Sequence, residues 1–255
     1  MRVCRALHDY IHHSAPVARA RILKVVVDND AVYIRFEYNQ PDHYCLYAVK
    51  FIMLSFHYHK NGCLIVSADD TEKYVKGKDF LSVVCDHLRR YLRWVGTVPQ
   101  FEIKHEDDWY GYEPEFSFWE KLNIKLFSFM KPSFQLPTFE EIRKKVWETI
   151  EECLQSRVRP LRVTELIMNI EEPRIHILNL LNPKPLKTLI IGGSGRCPEF
   201  NVRRLKNLEE ISISKLGNYE ERCVSQPIRD FFNIKFVSLT VETISDEEIL
   251  EIKRV

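Results

Sequence analysis

Four short apolar runs with one inner rhythm constrain this chain more than anything else in it. They are residues 163–168 (VTELIM), 186–193 (LKTLIIGG), 208–213 (LEEISI) and 236–241 (FVSLTV). In LKTLIIGG, Leu186, Leu189 and Ile191 take one side while Thr188 and Ile190 take the other, the alternation of a strand with one face in a core. The anchors Leu166, Leu189, Ile211 and Leu239 are 23, 22 and 28 residues apart, which leaves room for one strand and one returning helix or loop per unit. Stacking such units turns the residues between the anchors outward. Two exposed rows are expected, Glu165, Thr188, Glu210 and Ser238, then Ile167, Ile190, Ser212 and Thr240.

Upstream, the texture changes. Residues 22–27 and 32–38 are β-branched or alternating, with the turn signal Asp28-Asn29-Asp30 between them. Residues 46–59 and 63–67 flank Lys60-Asn61-Gly62, a hairpin signal because Asn and Gly both tolerate positive φ. A meander of four or so strands follows from this. Asp79 caps a helix whose stripe is Phe80, Val84, Leu88, Tyr91, Leu92 and Val95, with Arg89, Arg90 and Arg93 on the other side. Residues 101–104 and 122–127 read as strands around an acidic, aromatic loop at 105–115, and they are candidates for irregular first rungs of the ladder. Thr138 with Glu141 forms a capping box for a helix carrying Phe139, Ile142, Val146, Ile150 and Cys153 on one face. Short helical candidates at 173–181, 198–205 and 222–232 alternate with the rungs, and Ser245 with Glu248 caps a closing helix near 247–252. The expected fold class is α/β, an N-terminal antiparallel β-meander running into a leucine-rich-repeat-like α/β solenoid. Its expected parts are 22–68, 79–95 and 101–255.

Composition narrows the function. Thirty-seven basic residues against 36 acidic leave a net charge of +1, which gives no global attraction to nucleic acid or membrane. The opening MRVCRALHDY has no apolar signal core, and seven cysteines without a CxxC pair read as reduced, mostly buried thiols. An intracellular location, cytoplasm or nucleus, is expected. Gly192-Gly193-Ser194-Gly195 follows a strand, but Pro198 stands where a dinucleotide fingerprint needs glycine, and no Lys-Ser or Lys-Thr completes a P-loop. His57, His59 and Cys63 are zinc-ligand types without a fourth ligand. His105, Glu106, Asp107 and Asp108 match no acid–base or hard-metal spacing. Cys85 and His87, two apart on a helix, point in different directions. No catalytic residue, metal or cofactor is therefore expected. Trp109, Tyr110 and Tyr112 in the acidic loop suit a contact surface, since aromatics are enriched at binding hot spots.

Two stretches carry a family likeness. Residues 2–11, RVCRALHDYI, resemble the last helix of the F-box in nematode F-box proteins, with His8 in place of the usual second arginine. Tyr58-His59-Lys60-Asn61-Gly62-Cys63-Leu64-Ile65-Val66, then Gly77-Lys78-Asp79-Phe80 and Asp86-His87-Leu88, resemble the FTH domain, the F-box-associated domain of Caenorhabditis-type nematodes. Here His87 splits that domain's usual Asp-Leu pair. The resemblance implies an F-box remnant at 1–14 and an FTH-like domain at 15–255. It implies a non-catalytic, target-recognising subunit of a Skp–cullin–F-box ubiquitin ligase. The Skp adaptor would meet Val3, Leu7, Tyr10 and Ile11, and a target protein the two strand rows. Only the tail of an F-box is matched, so the alternative is a stand-alone protein-binding module without ligase coupling.

Overall fold

The computed structural model describes residues 20–28, 31–40, 48–59, 62–105, 137–169, 174–192, 195–197, 200–213, 222–224, 226–241 and 244–252. The expected F-box helix, the strand at 122–127 and the aromatics Trp109, Tyr110 and Tyr112 lie outside them.

The meander is β1 (Ala20–Val27), β2 (Ala31–Gln40), β3 (Ala48–His59), β4 (Gly62–Ser67) and β5 (Glu72–Lys76), antiparallel throughout. Its fifth strand, EKYVK, was hidden in the sequence by its charge. Gly62 is glycine for want of space, since a Cβ there would sit 2.0 Å from the Val75 carbonyl oxygen of β5. It lies in a strand without positive φ, so steric room is its reason, and Gly77 (φ 72°) is the glycine that needs the left-handed region.

Helix α1 (Phe80–Trp94) starts where Asp79 Oδ2 accepts from the Ser82 amide at 2.9 Å. It carries the chain back across the meander so that β6 (Thr97–His105) pairs with β1 in parallel. Helix α2 (Phe139–Gln155) then leads to β7 (Leu161–Asn169), parallel to β6. The remaining strands are β8 (Leu181–Asn182), β9 (Thr188–Gly192), β10 (Gly195–Cys197), β11 (Glu210–Ile213), β12 (Arg222–Val224) and β13 (Phe236–Val241). Single 3₁₀ turns at Ile175–Asn179, Val202–Arg204 and Ile228–Phe231 lie between them, and α3 (Asp246–Ile252) closes the described chain.

All thirteen strands of the described residues belong to one open sheet in the order β10-β12-β13-β11-β9-β7-β6-β1-β2-β3-β4-β5, with β8 against β7. The fold is thus mixed α/β, dominated by a large sheet with few helices. The meander and the ladder, expected one after the other, are fused through the parallel β1–β6 pair.

Helices α1 and α2 pack together on one sheet face. Phe36, Phe56, Phe101, Leu166, Leu189 and Ile211 from the strands and Phe80, Leu88, Leu92, Val146 and Ile150 from the helices are all but fully buried there. Each such side chain contributes about 1.5–3 kcal/mol on burial. Val95 falls just past the end of α1, where it is the C-cap and only half-buried. Leu186, Leu189 and Ile191 are buried and Thr188 and Ile190 are half-buried on the opposite side, as the alternation requires.

Candidate binding face

The ladder's registers set one residue beside the next on the face turned away from α1 and α2. Glu165 lies beside Thr188 and Thr188 beside Glu210, while Ile167, Ile190 and Ser212 line up in the next row. The last rung departs from expectation. Ser238 pairs with Ser212 rather than Glu210, Val237 rather than Leu239 pairs with Ile211, and Thr240 sits against Cys223 of β12. The first row therefore ends in Phe236, a residue the sequence reading passed over. The strand is slipped by two positions, a shift that keeps every side chain on its expected face.

Toward the meander this same face is closed, since Val26, Met53, Ser55 and Glu102 are buried on it. From β7 to β13 it is accessible. Glu165, Ile167, Thr188, Ile190, Ser212 and Thr240 are partly exposed, Glu210 and Ser238 exposed, and Phe236 is 67% exposed.

The face is also acidic. Burial raises the Glu165 carboxyl above the ordinary glutamate range, and the neighbouring carboxylates Glu210 and Glu102 push it in the same direction. Glu102 is held by Lys24 at 3.5 Å and by Lys104 at 2.6 Å, whereas Glu165 and Glu210 have no ion-pair partner among the described residues. Half-buried Ile167 and Ile190, flanked by two unpaired carboxylates and followed by Phe236, suit a partner segment that brings apolar groups and a cation.

The other sequence candidates separate in space. Cys63 pairs with Tyr58, so its thiol is on the core face while His57 and His59 are on the other. Burial pushes that thiol up to about 12, far from the thiolate a metal needs. Among the described residues no group of three or more His, Cys, Asp or Glu is placed to hold a metal. Gly192 ends one strand and Gly195 begins another, so no helix N-terminus follows the glycines to receive a phosphate. His105 is buried and its Nε2 accepts from Trp147 Nε1 at 3.1 Å, leaving its proton on Nδ1; Glu106, Asp107 and Asp108 lie outside the described residues. Cys85 faces α2, 3.0 Å from Thr149 Oγ1, while the His87 ring lies 5.0 Å from that of Phe56 on β3. No helix among the described residues is long and apolar enough to cross a membrane.

The segment that carries this accessible face also carries the family signal. Residues 144–255 match the FTH domain. That family is associated with F-box proteins. The match covers less than half of the chain, begins inside α2, and holds all eight residues of the two expected rows together with Phe236. It does not extend over the hairpin-to-helix block at 58–88. No curated protein matches the chain, and no solved structure does.

Proposed function

We propose that this chain is a non-catalytic recognition subunit that presents a target protein to a Skp–cullin–F-box ubiquitin ligase. The observation that carries the reading is the FTH match on the segment that forms the accessible strand face. A parallel ladder with one 3₁₀ turn per rung behaves as a leucine-rich-repeat-like scaffold. Its core residues fix the shape while outward residues vary freely with the partner. Glu165, Ile167, Thr188, Ile190, Glu210, Ser212, Ser238 and Thr240, with Phe236 added, form the target-binding surface. Val3, Leu7, Tyr10 and Ile11 are the adaptor contact, and the subunit acts in the cytoplasm or nucleus without a cofactor. The second reading is a module that binds its target without ligase coupling.

One measurement separates these, and a second tests the binding face that both share. Purified chain and purified Skp adaptor, mixed and run through a sizing column, co-elute if the ligase reading holds; separate elution leaves only the stand-alone module. Target binding is read by photo-crosslinking from position 188. Ile190→Arg and Glu210→Lys should each abolish capture of the crosslinked protein while leaving the far-ultraviolet circular dichroism unchanged. Capture that survives both substitutions removes the strand face from the proposal.

A further inference from the structure

A second surface lies on the other side of the sheet, where the C-terminal ends of α1 and α2 meet the turn at 156–160. A cleft of about 760 Å³ opens there, lined by Arg89, Arg93, Arg157 and Arg159, by Glu152 and Cys153, and by Val158. The four guanidiniums do different things.

Arg157 is structural. It donates to the Leu92 carbonyl, to the Val95 carbonyl at 2.7 Å and to the Arg159 carbonyl at 3.1 Å. It thereby occupies carbonyls at the end of α1 that would otherwise attract the cleft's own cations. Arg89 is shared between Glu152 at 3.3 Å and Asp86 at 3.6 Å. Arg93 and Arg159 are exposed and have no acidic partner among the described residues. Beside them the aliphatic side chain of Val158 is 99% exposed.

From this we infer that the cleft is a docking site for an acidic peptide segment of a partner protein. Two of the segment's carboxylates pair with Arg93 and Arg159 while an aliphatic residue rests on Val158. Charge complementarity names the occupant, because the two unpaired guanidiniums offer planar, bidentate donors suited to carboxylates. Single-stranded nucleic acid fits less well. Among the described residues no aromatic side chain lines the cleft to stack a base. The volume is that of a site for a few residues. This surface is separate from the strand face, being built on the helices that cover the opposite side of the sheet.

The test uses the full chain and a fluorescent eight-residue peptide of alternating glutamate and leucine, read by anisotropy at low salt. Binding should be saturable, should weaken on going from about 50 to about 500 mM salt, and should fall at least about tenfold in Arg93→Glu/Arg159→Glu. Val158→Asp should weaken it independently. All three positions are exposed, and circular dichroism of the variants confirms the fold. Lys206→Glu, a charge reversal on an exposed turn elsewhere, should leave binding unchanged. Equal loss in Lys206→Glu, no loss in the double variant, or tighter binding of an eight-nucleotide single strand than of the peptide would each overturn the proposal.

Discussion

Two buried histidines make this fold sensitive to acid, and the direction follows from where they sit. Burial pushes His105 down to about 3, with Arg143 and Arg174 adding to the effect. Burial pushes His87 down to about 4; Arg90, Lys73 and Lys78 lower it further and Asp86 opposes them. Both folded values lie below the ordinary value of 6.5, so the unfolded chain takes up protons first as the pH falls. Stability contributed by the two neutral rings is therefore complete above pH 6.5 and is lost on acidification, until the folded protein itself protonates near pH 4 and then near pH 3. Between pH 7 and pH 5 the two together should cost on the order of 3 kcal/mol. Urea unfolding at the two pH values measures the loss. His87→Leu, close in volume and packed against Phe56 and Tyr91, should remove about half of it while leaving stability at pH 7 within about 1.5 kcal/mol of the parent. An unchanged pH dependence in that variant would show that His87 titrates normally.

At the scale of elements, what was legible depended on how local the signal is. The capping box at α2 is written in four consecutive residues, and the structure has both of its hydrogen bonds. The Glu141 amide donates to Thr138 Oγ1 at 3.2 Å and the Thr138 amide to Glu141 Oε2 at 2.8 Å. Thr138→Ala should cost about 1 kcal/mol in urea unfolding. Adding Glu141→Ala should cost less than the two single losses together, since each residue serves the other's orphan donor. The Asp79 cap and the Ser245–Glu248 box were legible for the same reason. Strand β5 was not, because a charged, largely exposed edge strand has little apolar alternation to show. Nor was the slip of β13. A period of two separates Val237 from Ser238 but cannot separate Val237 from Leu239, and the last unit is lengthened by the residues between β11 and β12. The accessible face of the candidate site was therefore readable, while its final row, ending in Phe236, was not.

Across the whole molecule, the pairing of β1 with β6 is the contact that no local pattern announces, because it joins strands with the entire meander and α1 between them. It makes one sheet of two textures. Phe101 and Ile103 of β6 lie in register between Leu23 and Val25 of β1 and Leu166 and Met168 of β7, and all six are fully buried. The family match starts at Lys144, in the middle of α2, so its boundary cuts through a helix and leaves β6 outside. A fragment of residues 144–255 would lose the Thr138 cap, Phe139 and Ile142. It would expose β7 as an unpaired edge and uncover Leu166 and Met168. Deleting partners of that size from a core costs several kcal/mol per large side chain, comparable to the whole stability of a domain. The isolated fragment should therefore lack a cooperative urea transition and bind a hydrophobic dye, whereas the 255-residue chain should unfold in one step with coincident tryptophan fluorescence and circular dichroism. A sigmoidal transition of the fragment at the midpoint of the full chain would mean that the ladder carries its own core and that the meander is only attached to it.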